Sequence, residues 1–194
     1  MASSIFIDTH AIIERSRVNG PGQRLVVFFQ GCHRNCPGCF NPATHSIGTG
    51  VKYGIREIFA RFLSKNVSGL TVSGGEPFLQ SAALCELLKT AKREHGLTTA
   101  VYTGFTIEEI RSSTELSPAL EHIDVLIDGA FDENNTERTT LARGSTNQRL
   151  HFLSGVYSID DFILPGKAEI IINKDGSVVE TGFSKPAGIN SILL

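Results

Sequence analysis

The stretch Leu25-Val26-Val27-Phe28-Phe29-Gln30-Gly31-Cys32-His33-Arg34-Asn35-Cys36-Pro37-Gly38-Cys39-Phe40 joins an apolar run to three closely spaced cysteines. An unbroken apolar run of this length is typical of a strand buried on both faces of a parallel sheet. The cysteines follow in a C-x3-C-x2-C spacing. Three thiolates on one tight loop suit three corners of a [4Fe–4S] cube. The fourth cysteine of the chain, Cys85, lies far off in sequence, so no neighbouring thiol takes the last corner. One iron is then open to an external ligand. A zinc site would want a fourth protein ligand, and a redox C-x2-C pair would not need the third cysteine.

Outward from this stretch, strand-like and helix-like segments alternate. Tyr53–Ser64 sets Ile55, Ile58, Phe59, Phe62 and Leu63 at helical spacing. Leu70–Ser73 reads as a strand running into Gly74-Gly75, and Leu79–His95 as a helix with Ala83, Leu84, Leu87, Leu88 and Ala91 on one face. Gly96 is placed to stop that helix. Thr98–Tyr102 is a further strand. Thr106 and Glu109 form a capping box that opens another helix. A short helix near Pro118–Glu121 precedes a strand at Ile123–Ile127. This order predicts an α/β domain with a mainly parallel sheet. Near the carboxy terminus, Ala168–Asn173, the turn Lys174-Asp175-Gly176 and Ser177–Thr181 predict a β-hairpin, because Asp-Gly suits a turn with φ > 0.

At 194 residues the chain fits one domain with a real core. An apolar fraction of 41% and a charged fraction of 20% are ordinary for a globular protein. A net charge of −2 supplies no basic footprint for nucleic acid. The longest apolar run falls far short of a membrane span, and Met1-Ala2-Ser3-Ser4 lacks the regions of a signal peptide. A cytoplasmic location is expected. There, clustered cysteines read as metal ligands and not as a disulfide framework.

Gly31-Cys32-His33-Arg34-Asn35-Cys36-Pro37-Gly38-Cys39-Phe40-Asn41-Pro42-Ala43-Thr44, Ser73-Gly74-Gly75-Glu76-Pro77, Tyr102-Thr103-Gly104-Phe105, Ile123–Gly129 and Arg143–Arg149 occur in that order. Together they resemble the radical S-adenosylmethionine (SAM) enzymes, and within them the activating proteins of glycyl radical enzymes, above all those of anaerobic ribonucleoside-triphosphate reductase. The resemblance covers roughly Gly20 to Leu150 of one domain spanning 1–194, with 151–194 as an extension. Where the family often has an aromatic pair near the loop's end, this chain has Phe40 and then His45.

The resemblance implies a partial (βα) barrel of the radical SAM type with a C-terminal β-hairpin. It implies an oxidoreductase with one [4Fe–4S] cluster on Cys32, Cys36 and Cys39, whose open iron chelates the methionine part of SAM. Reductive cleavage would leave methionine and a 5′-deoxyadenosyl radical that abstracts a hydrogen atom. Gly74, Gly75 and Glu76 would meet the SAM amino group, and Phe40 with Gly38 the adenine. Thr103 and Asp128, at strand ends where such folds carry their chemistry, become candidates for the SAM ribose or carboxylate or for the substrate. Each could instead cap the turn that follows. Arg143, Asn147 and Arg149 would line the opening where a partner's glycine loop enters.

Three functions compete on the sequence. An activase would place a glycyl radical on a partner protein such as anaerobic ribonucleotide reductase, with a flavodoxin- or ferredoxin-type electron donor. A small-molecule radical SAM enzyme, similar to the deazaguanine synthases, would need a dedicated pocket. A non-catalytic iron–sulfur carrier would not need Glu76. The activase is favoured because the chain beyond Leu150 reads as little more than a strand pair, too little to close over a small molecule.

Overall fold

The computed structural model describes residues 5–139, 141–164, 168–172, 176 and 178–183. Its frame is a seven-stranded sheet in the order β3-β1-β2-β4-β5-β6-β7. The strands are β1 (Phe6–Ser16), β2 (Arg24–Phe29), β3 (Val51–Gly54), β4 (Gly69–Gly74), β5 (Thr98–Tyr102), β6 (Val125–Asp128) and β7 (Arg149–Phe152). The central four, β2-β4-β5-β6, are parallel, β1 and β7 flank them antiparallel, and β3 pairs antiparallel with β1 at the outer edge. The expected strands at Leu25, Leu70, Thr98 and Ile123 thus form the parallel centre, within two residues of their predicted limits. The sheet is open, with β3 and β7 at its edges and no pair closing it into a barrel among the described residues.

Helices α1 (Ile55–Phe62), α2 (Ser81–His95) and α3 (Ile107–Ser112) supply the crossovers. Each follows from its local sequence. α2 ends on Gly96 at φ +64°, the left-handed turn that a side chain resists. In α3 the Thr106 hydroxyl accepts from the Glu109 N–H at 3.2 Å, and the Glu109 carboxylate accepts from the Thr106 N–H at 2.6 Å. The helices cover one sheet face, where Leu25, Val27, Phe29, Leu70, Val72, Val101 and Leu126 pack with Ile58, Leu84, Leu87, Leu88 and Ile110. Alternate residues of the same strands reach the other face, so β2 and β6, buried on both sides, carry no polar alternation, whereas β4 alternates Leu70 and Val72 with Thr71 and Ser73.

That second face is where expectation and structure part. The chain beyond Leu150 is more than a strand pair. β7 joins the main sheet, and the following segment folds back so that Phe162 and Leu164 bury against Ala100, Val125 and Ile127. The hairpin itself, β8 (Ala168–Ile172) with β9 (Val178–Gly182), then packs Ile171 and Val179 on Ile13, Val26 and Phe28. Of its expected turn, Lys174 and Asp175 lie outside the described residues, and Gly176 has φ +84°. The tail is drawn in because the inner ends of β2, β5 and β6 are apolar and need a cover. β1 and β3 have no counterpart in the sequence reading. β1 carries two register irregularities and a buried Thr9, which blur the period-two signal.

The start of β2 is closed by Arg24, which is fully buried. Its guanidinium donates to Thr71 Oγ1 at 2.5 Å, the Leu70 carbonyl at 2.6 Å and the Pro21 carbonyl at 3.1 Å. A buried cation persists only when so satisfied. The opposite end, at the carboxyl ends of the parallel strands, is left for a site.

Candidate functional site

Four parallel strands end at one rim. β2 runs into Gly31 and Cys32, β4 into Gly75 and Glu76, β5 into Thr103 and β6 into Gly129. In open α/β sheets this rim is where loops converge and ligands bind. One cavity there is lined by Cys32, Cys36, Cys39, Phe40, Ser73, Gly74, Gly75, Glu76, Thr103 and Gly129, among others.

Two loops of the rim are laced together through their backbones. The Gly75 N–H donates to the Phe29 carbonyl and the Glu76 N–H to the Gly31 carbonyl, both at 2.8 Å. The Gly31 N–H in turn reaches the Thr44 carbonyl at 2.8 Å, and the Cys32 N–H the His45 carbonyl at 3.1 Å. Both glycines are required by this approach. Gly74 has φ +106° and a Cβ there would meet the Phe29 backbone, while one on Gly75 would strike the Gly31 carbonyl. The segment Ser73–Pro77 is therefore built against the cysteine loop, although the two lie far apart in sequence.

Glu76 is almost fully buried, and its carboxylate is oriented by three donors. Thr103 Oγ1 donates at 2.7 Å, the Gly104 N–H at 2.8 Å and the Phe78 N–H at 3.1 Å. Burial pushes its carboxyl up, and these donors with the nearby Arg34 guanidinium offset part of that. Arg34 comes from the cysteine loop, lies over the Phe105 ring at 4.4 Å, and brings Nε to 3.9 Å from Glu76. Thr103 is thus placed to orient Glu76. The acid keeps lone pairs at the cavity wall for a further donor.

The three cysteines are partly buried and none is in a disulfide. Burial pushes the Cys32 thiol up, while the N–H groups of Arg34 and Asn35 pull it back. The Asn41 N–H donates to Cys39 Sγ at 3.4 Å. Such N–H···S bonds are among the levers that set the potential of a thiolate-held cluster. Among the described residues no three His, Cys, Asp or Glu side chains form a group around a single ion. A cube does not ask for one, since each of its three protein-held irons takes its own thiolate. Three thiols of one short loop on one cavity fit that arrangement.

Phe40 stands beside Phe131, ring centroids 4.8 Å apart, and both line the cavity. Gly38, at φ +64°, turns the loop where a Cβ would run into the Glu133 side chain. The remaining candidates lie elsewhere. Asp128 is fully buried and accepts from the Ile107 N–H at 2.7 Å, so it caps the start of α3. Arg149 clamps it at 3.0 and 2.6 Å and also reaches Glu108 at 2.7 Å, with His151 Nε2 at 3.0 Å. Neither Asp128 nor Arg149 is among the cavity-lining residues. Arg143 is held by Glu137 at 2.6 Å and the Gln148 carbonyl at 2.7 Å, and Asn147 donates to the Ala130 carbonyl at 2.8 Å. Burial pushes the Glu137 carboxyl up, but hydrogen bonds from the Thr139 N–H, the Arg143 guanidinium and the Thr139 hydroxyl outweigh it and bring the group down to about 2.

Several lining residues escape a reading of the sequence. Phe131, Gln148 and the run Val179–Phe183 line the same cavity. Gln148 has its amide fixed by the Gly144 N–H and the Gly129 carbonyl at 2.9 and 3.0 Å. Gln148 lies within the Arg143–Arg149 segment singled out above, but no local motif marks Phe131 or the run Val179–Phe183, and the latter's position depends on how the tail folds back.

The family described as "4Fe-4S single cluster domain" matches residues 18–151. Proteins named anaerobic ribonucleoside-triphosphate reductase-activating protein are similar over most of their length. The one from Vibrio cholerae is 34% identical over 142 residues, 69% of this chain and 90% of that protein. The one from Enterobacteria phage T4 is 35% identical over 141 residues, 69% of this chain and 86% of that protein. The Escherichia coli K12 protein is 30% identical over 151 residues, 70% and 92% respectively. Among solved structures, QueE from Escherichia coli aligns with a TM-score of 0.44 at 13% identity, covering 63% of this chain and 70% of that one.

Proposed function

Because the chain belongs to the 4Fe-4S single cluster domain family and to that of the anaerobic ribonucleoside-triphosphate reductase-activating proteins, we propose that it is a radical SAM activase. It would install a glycyl radical on a partner enzyme of the anaerobic ribonucleotide reductase type. One observation carries the reading: the three-cysteine loop and Gly74-Gly75-Glu76 are tied by backbone hydrogen bonds and line one cavity. A plain electron-transfer cluster would have no use for the buried carboxylate beside it.

Cys32, Cys36 and Cys39 would hold a [4Fe–4S] cluster. When bound, the cluster supplies an electron to the SAM sulfonium, leaving methionine and a 5′-deoxyadenosyl radical that takes a hydrogen atom. Glu76, oriented by Thr103 and Gly104, would accept from the SAM ammonium, with the Gly74-Gly75 backbone giving it room. Phe40 with Phe131 would offer apolar surface to the adenine. The rim would hold the substrate hydrogen at near-contact distance, since so reactive a radical cannot travel. The open sheet with outer helices and an inward-folded tail is consistent with a partial barrel. A flavodoxin- or ferredoxin-type donor would reduce the cluster, and a reducing cytoplasm would keep the thiols available. No helix of the described residues is long and apolar enough to cross a membrane.

The test is anaerobic reconstitution followed by reductant, SAM and an anaerobic ribonucleoside-triphosphate reductase. A doublet electron paramagnetic resonance signal of a Cα–H glycyl radical, with 5′-deoxyadenosine formed in equal amount, is expected. Deuterium reaching 5′-deoxyadenosine from a small metabolite, and from no protein glycine, would reject the activase in favour of a small-molecule enzyme.

A further inference from the structure

The hairpin β8–β9 lies beyond the segment that the family matches, yet it forms a wall of the cysteine cavity. Five successive residues, Val179 to Phe183, line that cavity, and no residue of β8 does. Side chains alternate along a strand, so a strand that turned only one face to the cavity would contribute every second residue. A consecutive run means that the cavity follows the backbone. β8 pairs with β9 from Ala168↔Gly182 to Ile172↔Val178 and occupies one edge of it. The other edge has no strand paired to it and takes part in no further backbone hydrogen bond among the described residues.

The ribbon is anchored. Thr181 Oγ1 accepts from Asn19 Nδ2 at 2.8 Å, Glu169 Oε1 from the Arg17 N–H at 3.0 Å, and Phe183 packs on Tyr102 at 5.6 Å. Its outer face is largely apolar, with Glu180 opposite Ile170 the exception between Ala168 and Ile172. Ile171 and Val179 face the sheet, while Ile170, Ile172 and Val178 are exposed, Ile172 by 74%. A hairpin with one face packed normally presents polar residues on the other. A contiguous exposed apolar patch marks an interaction surface.

Resting on the activase reading above, we propose that this hairpin docks the protein substrate. An extended segment carrying the target glycine adds to the edge of β9 that no described residue pairs with, over the cavity, and the body of the partner covers Ile170, Ile172 and Val178. Only a polypeptide matches a strand edge, because the edge offers N–H and C=O groups at a two-residue repeat. An edge of this kind beside an apolar patch is a pairing template, and here it runs along the cavity where the hydrogen must be delivered. The hairpin thereby fixes which residue of the incoming segment lies against the reacting centre.

The experiment uses the holo-protein with SAM, and anaerobic ribonucleoside-triphosphate reductase as the probe. Amide hydrogen exchange over 178–183 should slow about tenfold on adding the reductase. Ile172→Asp, and separately Ile170→Asp, should weaken reductase binding and radical formation about tenfold or more. Iron content and uncoupled SAM cleavage should stay at the parent level, which shows that each variant is folded. If the parent activates the reductase while exchange over β9 is unchanged and both variants activate normally, the docking inference is overturned and the activase reading stands. Should the parent cleave SAM but never place a radical on the reductase, both are overturned. If Ile172→Asp instead converts a dimer of this chain to monomer in sedimentation, with activation intact, the patch is a self-contact and the inference fails.

Discussion

The cysteine rim and the Arg143–Arg149 segment both look functional in the sequence, one for its thiols and one for its charges, yet the structure uses their polar groups in opposite ways. At the rim, backbone groups hold the loops together, so the thiols and Glu76 can face a shared cavity. In Arg143–Arg149 the charges are committed internally: Arg143 to Glu137, Arg149 to Asp128 and Glu108. A charge in a loop signals a ligand only if no nearer partner claims it. The rim keeps its groups because glycines let backbone do the structural work.

The sharpest way to break this contrast is at the cysteines. Cys32→Ala, Cys36→Ala or Cys39→Ala should each abolish the oxygen-labile [4Fe–4S] cluster or its SAM chemistry, whereas Cys85→Ala should keep both. Anaerobic iron analysis and visible absorbance decide it; intact SAM cleavage in Cys36→Ala would remove the cysteine loop from the site. Next in size is Glu76→Ala. Losing one charge-assisted hydrogen bond is worth about 1.5–3 kcal/mol, so SAM affinity should fall roughly 10- to 150-fold with the cluster retained. Titration followed by the cluster's electronic spectrum measures it, and an unchanged affinity would make Ser73–Pro77 a mere turn.

Arg149→Ala probes the other region. It strips one partner from buried Asp128, which keeps the Ile107 N–H and His151, so stability should fall only modestly. Urea unfolding should report this, while the ratio of partner activation to uncoupled SAM cleavage should hold. A selective fall in activation would give the segment back the partner-contact role that family resemblance assigns it.

The smallest effect is pH-dependent. Glu137 has its folded value lowered to about 2, from an ordinary value of 4.5. A carboxyl lowered by folding contributes stability that is full above its unfolded value and is lost as pH falls through the folded one. The stability gap between the parent and Arg143→Ala, compared without cluster, should therefore be constant near neutrality and shrink between about pH 4.5 and 2. A gap that persists unchanged at the acid end would mean that Arg143 acts by packing and not by charge.

The sequence by itself determined the parallel centre, the three helices and the three-cysteine motif. Those features are local: apolar runs, helical spacing, the Thr106–Glu109 cap, the Gly96 stop and the C-x3-C-x2-C spacing all act over a few residues. Family resemblance joined the cysteines to Glu76, and the structure supplied the backbone hydrogen bonds that make them neighbours. Only the tertiary structure decided what Asp128, Arg143 and Arg149 hold, that β1 completes the sheet, and that the tail returns to wall the cavity with β9. The reason is physical. Ion pairing and burial depend on distances between segments far apart in the chain, and the inner ends of β2, β5 and β6 leave an apolar face that only the folded tail can cover.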